Sequence, residues 1–175
     1  KIYRLGWLRE HGIRFGTQYC GEDKIFTWKA LLLAEEFLLS SRVMYGHQFF
    51  GPEINRMLQR NLKMVESIIE VDREIRPFFE TTTRLDSYNY RLLNRDICGI
   101  ALDPAFQESL RARGELDIAL ARLEAWLAEL ADAGKIDPAT MMVPDNLARF
   151  AAHFPRLMDA AGATPTQAIA AGALI

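Results

Sequence analysis

The chain has 175 residues, half of them hydrophobic and a quarter charged, with 11 glycines and 7 prolines scattered along it. That is the composition of a globular domain able to bury about two-thirds of its unfolded surface, and it excludes large-scale disorder. The formal charge of -2 supplies no global field toward nucleic acid or an anionic membrane, so any such contact has to be local.

Helical periodicity recurs along the chain, whereas sustained apolar and polar alternation does not, so the expected class is all-α. The spacing predicts helices over 2–11, 24–45, 52–76, 84–98, 104–113, 115–133, 145–161 and 165–172. Short connections between them favour an antiparallel helical bundle of about six to eight helices. Asp103-Pro104, Asp137-Pro138 and Thr164-Pro165 each set a capping oxygen before a proline at the first helical position. Thr83 with Asp86 resembles a capping box, and Pro155 is expected to kink or split the seventh segment.

Composition shifts near residue 100. Residues 1–100 hold two alanines and 14 aromatics, against 20 alanines and four aromatics in residues 101–175. An aromatic-rich body and an Ala-rich helical extension, packed as one domain, are expected, because large rings build a thick core while alanine lets helices approach closely.

The segment Lys24 to Tyr45 is apolar almost all round and is expected to be the central helix. Its carboxylates Glu35 and Glu36 are candidates for an internal polar site, where desolvation would raise their pKa; pairing with neighbouring helices is the plainer alternative. The following loop, Gly46 to Gly51, sets His47 beside Phe49 and Phe50. His47 with Glu35 or Glu36 is the catalytic or cofactor-binding candidate, while a loop that only folds its rings onto the core is the alternative. Arg42 and His47 resemble the Arg-x4-His motif of the small helical ribonucleases of the HEPN class. The residue after the arginine, usually polar, is Val43, and with 16 arginines and three histidines about one such spacing is expected by chance, so no family is assigned.

Helix 52–76 places Arg56, Arg60 and Lys63 before Glu66, Glu70, Asp72 and Glu74, against the helix dipole, so its charges are expected to find partners such as Lys63 for Glu66 or Glu70 for Arg73. Helix 84–98 puts Arg84, Tyr88, Arg91 and Arg95 on one α-helical face, a candidate anion-binding or RNA-binding stripe as well as an ion-pair face. Helix 115–133 repeats leucine at Leu116, Leu120, Leu123, Leu127 and Leu130 in steps of four and three. That seam is either the packing face of a bundle helix or a docking interface for another chain.

Three positions before His11, His47 and His153 stand Leu8, Met44 and Phe150, so the Glu-x-x-His element of carboxylate-bridged metal sites is missing and no metal site is expected. Which cofactor, if any, is bound is left open. Cys20 and Cys98 match neither a metal knuckle nor a disulfide framework and suit a reducing compartment, the cytoplasm. The apolar run Ala30 to Ala34 falls far short of the roughly 20 residues of a membrane span. With Lys1 in first place, the chain is expected to be trimmed from a longer product.

The leading expectation is a non-catalytic helical accessory or assembly subunit acting through protein partners or as a homo-oligomer. A small helical enzyme or cofactor binder with a pocket among the aromatic helices and an RNA-binding helical module are the alternatives.

Overall fold

A computed structural model describes residues 3–36 and 61–160 of the chain. Every regular element among these residues is helical: α1 (Leu5–Glu10), α2 (Glu22–Leu33), α3 (Leu62–Glu80), α4 (Leu85–Arg91), a π-helix (Leu92–Ala101), α5 (Pro104–Ala112), α6 (Leu116–Asp132), α7 (Pro138–Met141), α8 (Pro144–His153) and α9 (Pro155–Ala160). The all-α bundle expected from the periodicity is the observed fold. The expected helix 165–172 lies outside the described residues.

The longest helix, α3, organises the rest. Its alternating three- and four-residue apolar steps give it two buried sides: Met64, Val65, Ile68 and Ile69 face α6, and Val71, Ile75 and Phe79 face α2 and α4. It runs on past Pro77, where the sequence predicts an end at residue 76. Pro77 lies on an exposed side, where solvent reaches the backbone that a proline leaves without its usual hydrogen bond. Its first turn is capped from a distance, because the backbone N–H of Leu62 donates to Glu115 Oε2 at 2.9 Å, placing a carboxylate at the positive end of the helix.

The main core joins Leu92, Leu93 and Ile97 of the π-helix, Phe106 and Leu110 of α5, Leu123 and Leu127 of α6, Phe150 of α8, Phe154 at the α8–α9 junction and Leu157 of α9 to the first half of α3. This cluster draws on both sides of residue 100. A smaller separate cluster, built on Ile13, Phe26 and Ala30, seats the N-terminal arm on α2.

Several ends follow the sequence signals. Asp103 accepts from the N–H of Phe106 and Asp137 from that of Ala139. Pro155 separates α8 from α9. Helix α6 closes through Gly134 at φ 65, with Lys135 N–H donating to Leu130 O and Gly134 N–H to Ala131 O, the paired bonds of a Schellman cap.

Three expectations are corrected. Helix α2 stops at Leu33, where Ala34 turns extended, rather than continuing to residue 45. Thr83 does not cap α4; the backbone N–H of Arg84 donates instead to Thr82 Oγ1. The segment 84–98 is not one α-helix, because from Leu92 it widens into π geometry, and Leu102 N–H donates to Ile97 O at 2.8 Å.

The widening has visible partners. The Asn94 amide donates to Tyr90 O, taking a carbonyl that an α-helix would fill from the backbone, and also to Met141 O. Asn146 and Arg149 of α8 donate to the carbonyls of Asn94 and Cys98. Side chains of the packed helices thus supply bonds that a wider helix leaves open.

Candidate functional site

Beneath α3 and α4 lies a buried polar cluster. Arg76 donates from Nε and Nη2 to the two carboxylate oxygens of Asp72, at 3.0 and 2.8 Å, and from Nη1 to Asn89 Oδ1 at 2.9 Å. Tyr88 donates its hydroxyl to Asp72 Oδ1 at 2.7 Å, and Asn89 passes its amide to Lys135 O. Burial, and then the charge of Asp72, push the Tyr88 hydroxyl far above its ordinary pKa. Phe79 stacks on the Tyr88 ring at 4.3 Å, while Arg76 approaches the same ring at 5.4 Å. Each charged group here has bidentate or multiple partners, which is how a buried ion pair offsets its desolvation. The arrangement closes α3, α4 and the α6–α7 connection onto one another.

Two further links tie α2 to this body. Lys24 donates to Asp96 of the π-helix at 3.1 Å, and Lys29 to Glu74 of α3 at 2.7 Å. Lys29 therefore meets a neighbouring helix. Glu35 and Glu36 lie beyond the end of α2 and are exposed, so neither faces an internal polar site. His47 lies outside the described residues, as do Arg42, Phe49 and Phe50.

The stripe Arg84, Tyr88, Arg91 and Arg95 does not assemble as an anion-binding face. Its spacing assumes 3.6 residues per turn, and Arg95 lies past Leu92, where the chain leaves that geometry. Tyr88 points inward to Asp72, and Arg91 lies half-buried over the Trp28 ring at 5.2 Å. Arg84 and Arg95 alone remain exposed.

The leucine seam of α6 also turns inward. Leu123, Leu127 and Leu130 are buried against the chain's own core, with Leu116 and Leu120 half-buried at its edge. The opposite side of the same helix is what solvent meets. There α3 and α6 flank an open groove of about 320 Å³, with Ile69, Ala125 and Trp126 between the charged side chains of Glu66, Glu70, Arg73, Arg122 and Glu129. Arg122 pairs with Glu66 and Arg73 with Glu129, so these charges pair across the two helices rather than along α3 as the sequence suggests. The Arg73 pair is solvent-exposed and the Arg122 pair partly so, and such pairs add little stability.

A second surface feature is the N-terminal arm. Helix α1 ends in a Schellman cap, in which Gly12 takes φ 61, its N–H donates to Arg9 O, and Ile13 N–H donates to Leu8 O. The turn sends the chain back over Phe26. Tyr3 meets the Phe26 ring edge-on at 4.9 Å, and Phe15 lies parallel to it at 4.5 Å with an interplanar angle of 9°. Phe15 nevertheless remains 62% exposed, more than any other large hydrophobic residue described, with Leu5 next at 59%. Arg4, Arg9 and Arg14 are exposed on this arm, with Glu10 as its one acid among residues 3–19.

Sequence reading missed both surfaces. The groove is assembled from residues 66–73 of α3 and 122–129 of α6 and leaves no local pattern. The arm did carry a signal, three arginines and three aromatic rings within the 13 residues from Tyr3 to Phe15, that the near-neutral charge of the whole chain obscured.

Among the described residues no cluster of three or more His, Cys, Asp or Glu side chains is placed to hold a metal ion, and no helix is long and apolar enough to cross a membrane. Compared with family models, with curated proteins and with solved structures, the chain gives no significant match to any of them.

Proposed function

We propose that this chain is a non-catalytic helical assembly or accessory subunit that acts through protein contacts, and that its partner lies in the outer groove between α3 and α6. The observation that carries this reading is the groove itself, where exposed Ala125 and the outer edges of Ile69 and Trp126, both buried in the main core, lie between charged side chains of α3 and α6. Paired helices use such a groove to receive a third helix, with the apolar strip anchoring it and the charged rims setting orientation. The seam of α6 faces the core, so its role in this reading is to hold the groove's wall rigid. Both cysteines are free thiols, which supports a reducing compartment such as the cytoplasm.

Ala125 is exposed within the groove, so a larger side chain there blocks it while leaving the core untouched. The test is the native mass of the chain in extract from its own source, by size exclusion with light scattering. The expected wild-type mass is above the 19.9 kDa of one chain. Ala125→Trp should return it to the monomer with unchanged helicity. A monomeric wild type, or an assembly indifferent to Ala125→Trp, overturns the reading.

A further inference from the structure

We propose that the N-terminal arm is a stacking platform for single-stranded nucleic acid, a function beyond the protein contact assigned to the groove. The inference starts from the geometry of Phe15. Its inner face lies flat on the Phe26 ring, 4.5 Å away and tilted by only 9°. Phe26 is itself buried and braced edge-on by Tyr3. One face of Phe15 is thus fixed by a second ring while 62% of the residue stays open to solvent. A ring held this way loses little further freedom when a base stacks on it, and every base offers the π-face that such a contact needs.

The charge of the arm that carries the ring fits the same ligand. Arg4, Arg9 and Arg14 are exposed and make no ion pair among the described residues, as is also true of Lys63, Arg84, Arg95, Arg113 and Arg156; what sets the three apart is that they share one short arm with an open ring. Residues 3–19 set three arginines against Glu10, a local excess of two positive charges, before Glu22 and Asp23 open α2. Guanidinium groups without a carboxylate partner are free to meet phosphate oxygens in bidentate fashion. An unpaired strand supplies both components, phosphates for the arginines and an exposed base for Phe15. A duplex hides its base faces, and a bilayer offers no planar partner for the ring.

Fluorescence anisotropy of labelled oligouridylate and oligothymidylate with the full chain tests this. Both strands are expected to bind, with affinity falling as salt rises at a log–log slope of about -2, the value for three phosphate contacts on a single strand. Phe15→Ala should weaken binding by about 5- to 100-fold, as expected for loss of one stacked base. Phe15→Leu keeps an apolar cover over Phe26 without a π-face and should bind as weakly, while Phe15→Trp should bind at least as well as wild type. Replacing Arg9 and Arg14 by Glu should weaken binding and flatten the salt slope. Circular dichroism on each variant separates lost binding from lost fold. The proposal is overturned if neither strand changes anisotropy at low salt or if Phe15→Leu binds like wild type. Tighter binding to the corresponding duplex, or to phosphatidylserine vesicles, overturns it equally.

Discussion

The buried cluster under α4 and the N-terminal arm are built from the same materials, arginine set against an aromatic ring, and use them in opposite ways. Around Tyr88, the guanidinium of Arg76 donates to Asp72 and Asn89, and the ring is stacked by Phe79 on a buried face. On the arm, Arg4, Arg9 and Arg14 have no carboxylate partner among the described residues, and Phe15 is stacked on one face only. Satisfied hydrogen-bonding capacity stabilises a fold. Unsatisfied capacity that solvent can reach costs the fold little and remains available for a ligand.

The sharpest way to break this contrast is to place a charge in the closed region. Leu123 is 1% exposed in the main core, so Leu123→Glu buries a carboxylate with no partner. The expected cost is several kcal/mol, comparable with the whole stability of a domain of this size. Far-UV circular dichroism should show loss of helix at room temperature. A folded variant that merely loses an oligomer would mean that the seam faces another chain.

Asp72→Ala should come next. It leaves Arg76 as a buried cation held only by Asn89, and breaking such a pair costs about 3–5 kcal/mol. Urea unfolding measures it. If the cluster acts only as structure, replacing Asp72, Arg76 and Tyr88 together by apolar residues should cost much less than Asp72→Ala alone.

These two experiments also show what the sequence made legible. The three- and four-residue leucine steps of α6 and the Asp-Pro starts of α5 and α7 are local signals, and each is realised as helix or cap. Direction is not local. Nothing within residues 115–133 says whether Leu123 faces its own core or a partner, because that depends on α3, α5 and α9 closing over it. The same limit applies to Tyr88, read from periodicity as a surface ring and turned inward by Asp72, sixteen residues earlier. The π-helix escaped for a related reason, since bonds to Asn94 and Cys98 come from residues of α8 about 50 positions away.

A pH titration of stability sharpens the contrast at smaller amplitude. Burial holds the Cys98 thiol neutral, its pKa pushed up to about 12 from an ordinary 9.0. Above pH 9 the unfolded chain gives up this proton while the folded chain keeps it. The contribution is therefore complete below pH 9 and is lost as pH rises toward 12, by about 1.4 kcal/mol per pH unit at most. Cys20 and Tyr88, also raised mainly by burial, lose stability in the same direction, Tyr88 only above pH 10. Unfolding free energy should thus fall on the alkaline side, and Cys98→Ala should shrink the fall between pH 9 and 10. An equal decline in Cys98→Ala and wild type would show that the thiol ionises without opening the core.

The smallest effect is expected on the arm, and its smallness is what matters. Arg9 and Arg14 are exposed and make no ion pair among the described residues, so reversing both charges removes no bond that the fold uses. Surface changes of this kind fall within about 0.5 kcal/mol each. If the arm is open for a ligand, the doubly substituted chain should match wild type in its urea midpoint while losing affinity for a single strand. If instead the midpoint drops as far as it does for Asp72→Ala, the arginines hold the arm to the body, and the contrast between a closed and an open use of the same side chains fails. Helicity and binding measured on one preparation of this variant therefore separate a surface kept for a partner from one that the fold needs for itself.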